Sequence, residues 1–197
     1  DKAWNPSQVW AFAGLDPNRV WEKGHKRPWN ARLKRLCFLL GESFVKVQHR
    51  EGAFYGALFT KKKAELWQKN LDGHNRERAL ILREKVGKTT EAYRWNNGDV
   101  PLEAARKVAS GTWPTGKKPW GEQAGAYTPM LPPAHIHAMA RRWVVKLFLA
   151  HVWEVNMRHR PLEEQIPGWT PYAIGHLHGH SHIIPPPGFG PGGGEDL

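Results

Sequence analysis

The stretch "HIHAMARRWVVKLFLAHVWEV", residues 135–155, decides what kind of fold this chain can adopt. It follows Pro132 and Pro133, an ordinary way to enter a helix. From Trp143 to Val155 it is apolar on most sides, as a helix packed between others must be. Lys146, His151 and Glu154 interrupt it, so it falls short of the ~18 uninterrupted apolar residues of a membrane-crossing helix. His135 and His137 stand two residues apart and point ~200° apart on a helix, which prevents them from sharing a metal ion. One stripe breaks the apolar surface: His135, Arg142, Lys146 and Trp153 fall within ~40° of each other in projection. Such a stripe can reach phosphates with its cations and stack a base or sugar on Trp153. Pairing of Arg142 and Lys146 with acidic side chains from the middle of the chain is an equally open reading.

The rest of the chain is also helical in pattern. "WNPSQVWAFAGLDP" reads as a short helix entered at Pro6 and stopped by the turn at Gly14 to Pro17. Residues 18–29 form a basic loop with Trp21 and Trp29 near its ends, open to a nucleic-acid contact or tucked down by those tryptophans. Asn30 is a good N-cap for "ARLKRLCFLLGESFVKVQ". There Leu33, Leu36, Cys37, Leu40, Phe44 and Val47 share one face, and Arg32, Arg35 and Lys46 share another. Two more evenly charged helices follow, separated by "LDGHN" with Asn75 as the second cap, then a short helix beginning at Pro101. Residues 111–133 are a Pro/Gly-rich connection. Polyproline and glycine runs bury too little to order themselves, so residues 176–197 read as a disordered Pro/Gly/His-rich tail. The expectation is an all-α helical bundle with long loops over residues 1–175, followed by that tail.

Charge is concentrated rather than spread. The formal net charge is +11. Residues 18–50 hold Arg19, Lys23, Lys26, Arg27, Arg32, Lys34, Arg35, Lys46 and Arg50 against Glu22 and Glu42 only. Residues 134–160 hold Arg141, Arg142, Lys146, Arg158 and Arg160 against Glu154. These two segments supply the whole excess, since the remainder balances. A phosphate-binding surface gathers charge in this way, although two solvated basic helix faces would look the same. The single cysteine, Cys37, excludes an internal disulfide framework and suits a reducing cytoplasm.

Other chemistry finds little support. "GKTT" at 87–90 resembles the end of a P-loop, but Leu82 stands where that motif needs glycine. His176, His178, His180 and His182 could chelate a metal opportunistically, without ligands from elsewhere in the fold. Ser7, Ser43, Ser110 and Ser181 stand in no base-and-orienter arrangement, and the acidic residues are too scattered to gather Mg²⁺.

Four blocks, "AGLDP" at 13–17, "WNARLKRLCFLLGESFVK" at 29–46, "GAFYGAL" at 52–58 and "HIHAMARRWVVKLFLAHVWEV" at 135–155, together resemble one family. Their order and spacing are similar to the carboxy-terminal region of DEDD-type insertion-sequence transposases, the bridge recombinases guided by a structured RNA. Residues 60–130 then read as an insertion. The resemblance implies DNA and guide RNA as partners, a homo-oligomer, and a prokaryotic, nucleoid-associated setting. It also implies an acidic, Mg²⁺-holding ribonuclease-H-like domain outside this chain and a cleaving serine just after the "GL.P" turn. Here the chain departs from the family: "NRVWEKGHKRPW" has no serine, and Lys23 stands before Gly24 where a Ser-Gly pair is expected. What carries over is nucleic-acid binding rather than catalysis, with Arg19, Lys23, Lys26, Arg27, Arg32, Arg35, Lys46, His135, Arg142 and Lys146 as the expected contacts and no metal site of its own.

Overall fold

A computed structural model of the chain describes residues 5–166 and 184–189. The fold is all-α: seven helices and one 3-10 turn are the regular elements among the described residues. They are α1 (Pro6–Phe12), α2 (Ala31–Lys46), α3 (Phe54–Leu71), α4 (Arg76–Arg83), α5 (Glu91–Asn97), α6 (Leu102–Ala109) and α7 (Pro133–Arg158), with the turn at Leu162–Glu164. None of these helices is long and apolar enough to cross a membrane. The chain divides into two compact units, residues 1–57 with 142–197, and residues 58–141. The stretch 60–130 lies within the second.

In the first unit both leading helices start on asparagine. The Asn5 side chain accepts from Gln8 N at 3.0 Å, and the Asn30 side chain accepts from Leu33 N at 2.9 Å, each satisfying an amide that the first helical turn leaves without a partner. α2 buries Cys37, Gly41 and Phe44, with Leu33, Leu40 and Val47 half-buried beside them. Leu36, expected on that face, is 53% exposed. At ~100° per residue its position lies about 105° from the mean direction of the buried Cys37, Gly41 and Phe44, outside the face they define. Phe38 and Leu39 are exposed on the same helix. α7 buries Val144, Val145, Leu147, Leu149, Ala150, His151, Trp153, Glu154 and Met157, which is burial on most sides of the helix. The carboxylate among them is paired: Arg158 donates to Glu154 Oε1 at 2.7 Å, one turn on.

An aromatic cluster joins three elements of this unit. Phe44 stacks on Tyr55 at 4.9 Å, and Phe148 meets Tyr55 edge-on at 5.2 Å. Behind it runs a short polar chain, in which Tyr55 Oη lies 2.9 Å from His151 Nδ1 and His151 Nε2 lies 2.7 Å from Ile184 O. A carbonyl only accepts, so Nε2 carries the proton; in the neutral ring Nδ1 then accepts, and the Tyr55 hydroxyl donates to it. Burial lowers the His151 pKa, opposed by the Ile184 carbonyl and by Glu154. Burial also pushes Tyr55 up to about 12. The chain therefore holds the tail: Ile184 is bonded, Pro186 is buried, and the Phe189 ring lies 5.2 Å from the Arg158 guanidinium. Residues 184–189, within the stretch expected to be disordered, lie against α7, where His151 Nε2 donates to the Ile184 carbonyl and Pro186 and Pro187 line an apolar groove with Phe148, Val152 and Val155. The remaining tail residues, 176–183 with their four histidines and 190–197, lie outside the described residues.

The second unit has its own core of Trp67, Ala79, Trp95, Val100, Ala104, Ala105, Met130, Leu131 and Ile136. Asn75 stands at the start of α4 but makes no side-chain cap bond, its backbone being turned away from the extended conformation that capping uses. α5 was not anticipated. Thr90 caps it, accepting from Tyr93 N at 3.1 Å, and Gly98 ends it in the left-handed region at φ 80°. Gly98 admits no other residue, since a Cβ there would stand 2.1 Å from Tyr127 O. The Pro/Gly-rich connection is laid down on this helix end: Gly121 N donates to Asp99 O, Gly125 N to Asp99 Oδ1 and Tyr127 N to Gly98 O. Asn70, fully buried on α3, then grips Leu131 by both its N–H and its carbonyl, at 2.9 and 3.0 Å. A connection without regular structure is thereby tied to the ends of α3 and α5 by these bonds.

Tyr55→Phe removes a single hydroxyl and leaves His151 Nδ1 buried without its donor. Urea denaturation at pH 8 is expected to show a loss of about 1–3 kcal/mol. Folded Tyr55 keeps its proton up to about 12, whereas an unfolded tyrosine releases it near 10. This contribution to wild-type stability is complete below pH 10 and lost as pH rises to 12, so the gap between wild type and variant narrows across that window. A gap that stays constant contradicts the assignment.

Candidate nucleic-acid interface

The basic loop is a closed structure with its own scaffold. Gly14, at φ 67°, turns the chain out of α1, and Trp29 packs against it so closely that a Cβ on Gly14 would stand 2.8 Å from Trp29 Cγ. Asn30 N donates to Phe12 O at 2.9 Å, which ties the start of α2 to the end of α1. The Lys34 ammonium sits 3.9 Å from the Trp29 ring centre. Inside the loop, Arg19 donates to Pro28 O at 2.9 Å and Trp21 Nε1 donates to His25 O at 2.7 Å. The Arg27 guanidinium lies 5.5 Å from the Trp21 ring. The two tryptophans thus divide the roles left open by the sequence. Trp29 is the tucked one, while Trp21 stays exposed.

The expected contact residues fall into three groups. Lys23, Lys26 and Arg27 in the loop, and Arg32, Arg35 and Lys46 on α2, are exposed, and none forms an ion pair with a carboxylate among the described residues. Arg19 is exposed as well but partly committed, to Pro28 O and to Asp16 at 4.0 Å. Lys34 and Arg50 are exposed too and extend this set.

The α7 stripe is a different matter. Arg142 is exposed, but Lys146 is half-buried with its ammonium 5.0 Å from the Trp10 ring, and its carbonyl accepts from Trp10 Nε1 at 2.9 Å. Burial lowers the Lys146 pKa; nearby Asp16 raises it and Arg142 lowers it further. Trp153 is only 8% exposed. It is a core side chain and offers no face to a base, which corrects the stacking role expected of it. The helical projection grouped these residues correctly by angle, but angle alone does not say which neighbour lies over the stripe. His135 is half-buried and belongs to the second unit.

No group of three His, Cys, Asp or Glu side chains among the described residues could hold a metal ion. Comparison with known proteins returns no matching family model, no matching curated protein and no matching solved structure.

Proposed function

We propose that this chain binds nucleic acid through the loop at 18–29 and the adjoining basic face of α2, as part of a DNA transposase that holds DNA and a structured guide RNA. The observation that carries the binding reading is the set of exposed cations left without carboxylate partners in one short segment. Glu22 is the one acidic residue between Asp16 and Glu42, set against Arg19, Lys23, Lys26, Arg27, Arg32, Lys34 and Arg35. Such self-repulsion costs stability, and a surface that served solubility alone would intersperse the two signs. Phosphates relieve the repulsion and release condensed counterions when they bind. The transposase assignment rests on the resemblance of the "AGLDP" turn, the basic loop, the "WNARLKRL" helix and the late "HIHAMARRWVVKLFLAHVWEV" helix to that family's carboxy-terminal region.

A second reading, a module that binds without cutting, is favoured by one feature. The loop has Lys23-Gly24 in place of the Ser-Gly pair that cleavage in that family requires. A strand-transfer assay on the product of the complete reading frame separates the two: joined product supports the transposase, and binding without product supports the module.

Binding itself is tested by affinity for duplex DNA and for structured RNA across a salt series. Affinity is expected to fall linearly on logarithmic axes, and Arg32→Ala and Arg35→Ala are each expected to reduce the slope by about one. A dependence that is flat in the wild type overturns the reading.

A further inference from the structure

Nine tryptophans lie among the described residues, and Trp21 alone of them is exposed, at 38%. Trp10, Trp67, Trp95 and Trp153 are buried, and Trp29, Trp113, Trp120 and Trp143 are half-buried. An indole left in water forgoes the burial that this large ring normally gains. Its place adds to the contrast: Val20 beside it is 79% exposed, and Arg19, Lys23, Lys26 and Arg27 all lie within six residues of it. The ring is nonetheless held in one orientation, because Nε1 is bonded to His25 O and the Arg27 guanidinium lies over it. A fixed, exposed aromatic beside Lys23, Lys26 and Arg27, which form no ion pair with a carboxylate among the described residues, is suited to a flat, apolar group that is itself attached to phosphates.

Resting on the nucleic-acid reading above, we propose that Trp21 stacks an unpaired base, so that the loop takes a single-stranded segment and not only regular duplex. A base paired inside a duplex already stacks on both faces and has none to offer an indole. Duplex phosphates can meet Lys23 and Lys26 without needing any aromatic surface. An unpaired nucleotide presents both features together, phosphate to the lysines and base to the ring. Because the internal hydrogen bond already fixes the Trp21 side chain, little rotamer freedom remains to be lost on binding. Stacking of this kind tolerates any base, so the loop selects strandedness and leaves sequence unread.

The test uses the intact chain and two fluorescein-labelled probes with equal numbers of phosphates, a thymidine homopolymer strand and a blunt hairpin duplex. Trp21→Ala is expected to weaken single-strand binding roughly 5- to 150-fold, while duplex affinity stays within about twofold. Trp21→Phe keeps an aromatic face and retains most of the single-strand affinity, whereas Trp21→Leu keeps only apolar bulk and does not. Equal losses on both probes, or full rescue by leucine, overturn stacking. If Trp21→Ala binds both probes as the wild type does, the exposed ring serves another partner, such as a protein, and the proposal fails. Wild type that binds neither probe removes the underlying nucleic-acid reading instead.

Discussion

The close packing of Trp29 against Gly14 is the contact on which the basic loop depends. A loop of a dozen residues carrying several like charges tends to expand, and closing it costs conformational entropy. One large aromatic ring, seated where the absence of a Cβ leaves room, brings the end of the loop back to the end of α1. The backbone bond from Asn30 to Phe12 and the Asn30 cap then hand the chain directly into α2. Loop cations and helix cations thereby share one short, rigidly connected segment. Without that closure, Lys23, Lys26 and Arg27 would be a charged flexible segment with no fixed relation to Arg32 and Arg35.

Rigid presentation matters because the cations are not satisfied internally. Two are steadied by aromatic rings of the same segment, Arg27 by Trp21 and Lys34 by Trp29, which orients charge without neutralising it. Lys146 on α7 shows the opposite arrangement. Lys146 lies over Trp10, half-buried, and its backbone carbonyl anchors the same indole, so it acts as packing material for α1. Basic residues in this chain are thus of two kinds, and burial distinguishes them where charge does not. The proposed polyanion contact lies on the loop and α2.

How much of this could be read from the sequence follows from which signals are local. α1, α2, α6 and α7 have local signals: a capping asparagine or proline at the start and, in α2 and α7, a long apolar run. Their starts were legible for that reason. α5 carries equally local signals, Thr90 at its cap and Gly98 at its end, but its seven residues are too few to show a period. Leu36 could not be separated from Cys37 and Leu40 by periodicity, since three- and four-residue steps from a buried position reach both the face and its edge. Asn75 has the right residue type in the wrong backbone conformation. What lay beyond sequence altogether was long-range fit: which of Trp21 and Trp29 is tucked, what covers Lys146 and Trp153, and that the Ile184 carbonyl accepts from the His151 ring. Each depends on a neighbour far away in the chain.

The central claim is that one contiguous segment, the loop and the first half of α2, meets the polyanion. Hydrogen–deuterium exchange of the intact chain, with and without a saturating oligonucleotide at low salt, measures this directly. The account predicts that added protection is greatest between residues 17 and 40. Protection confined to residues 58–141, or none anywhere while binding is saturated, contradicts it.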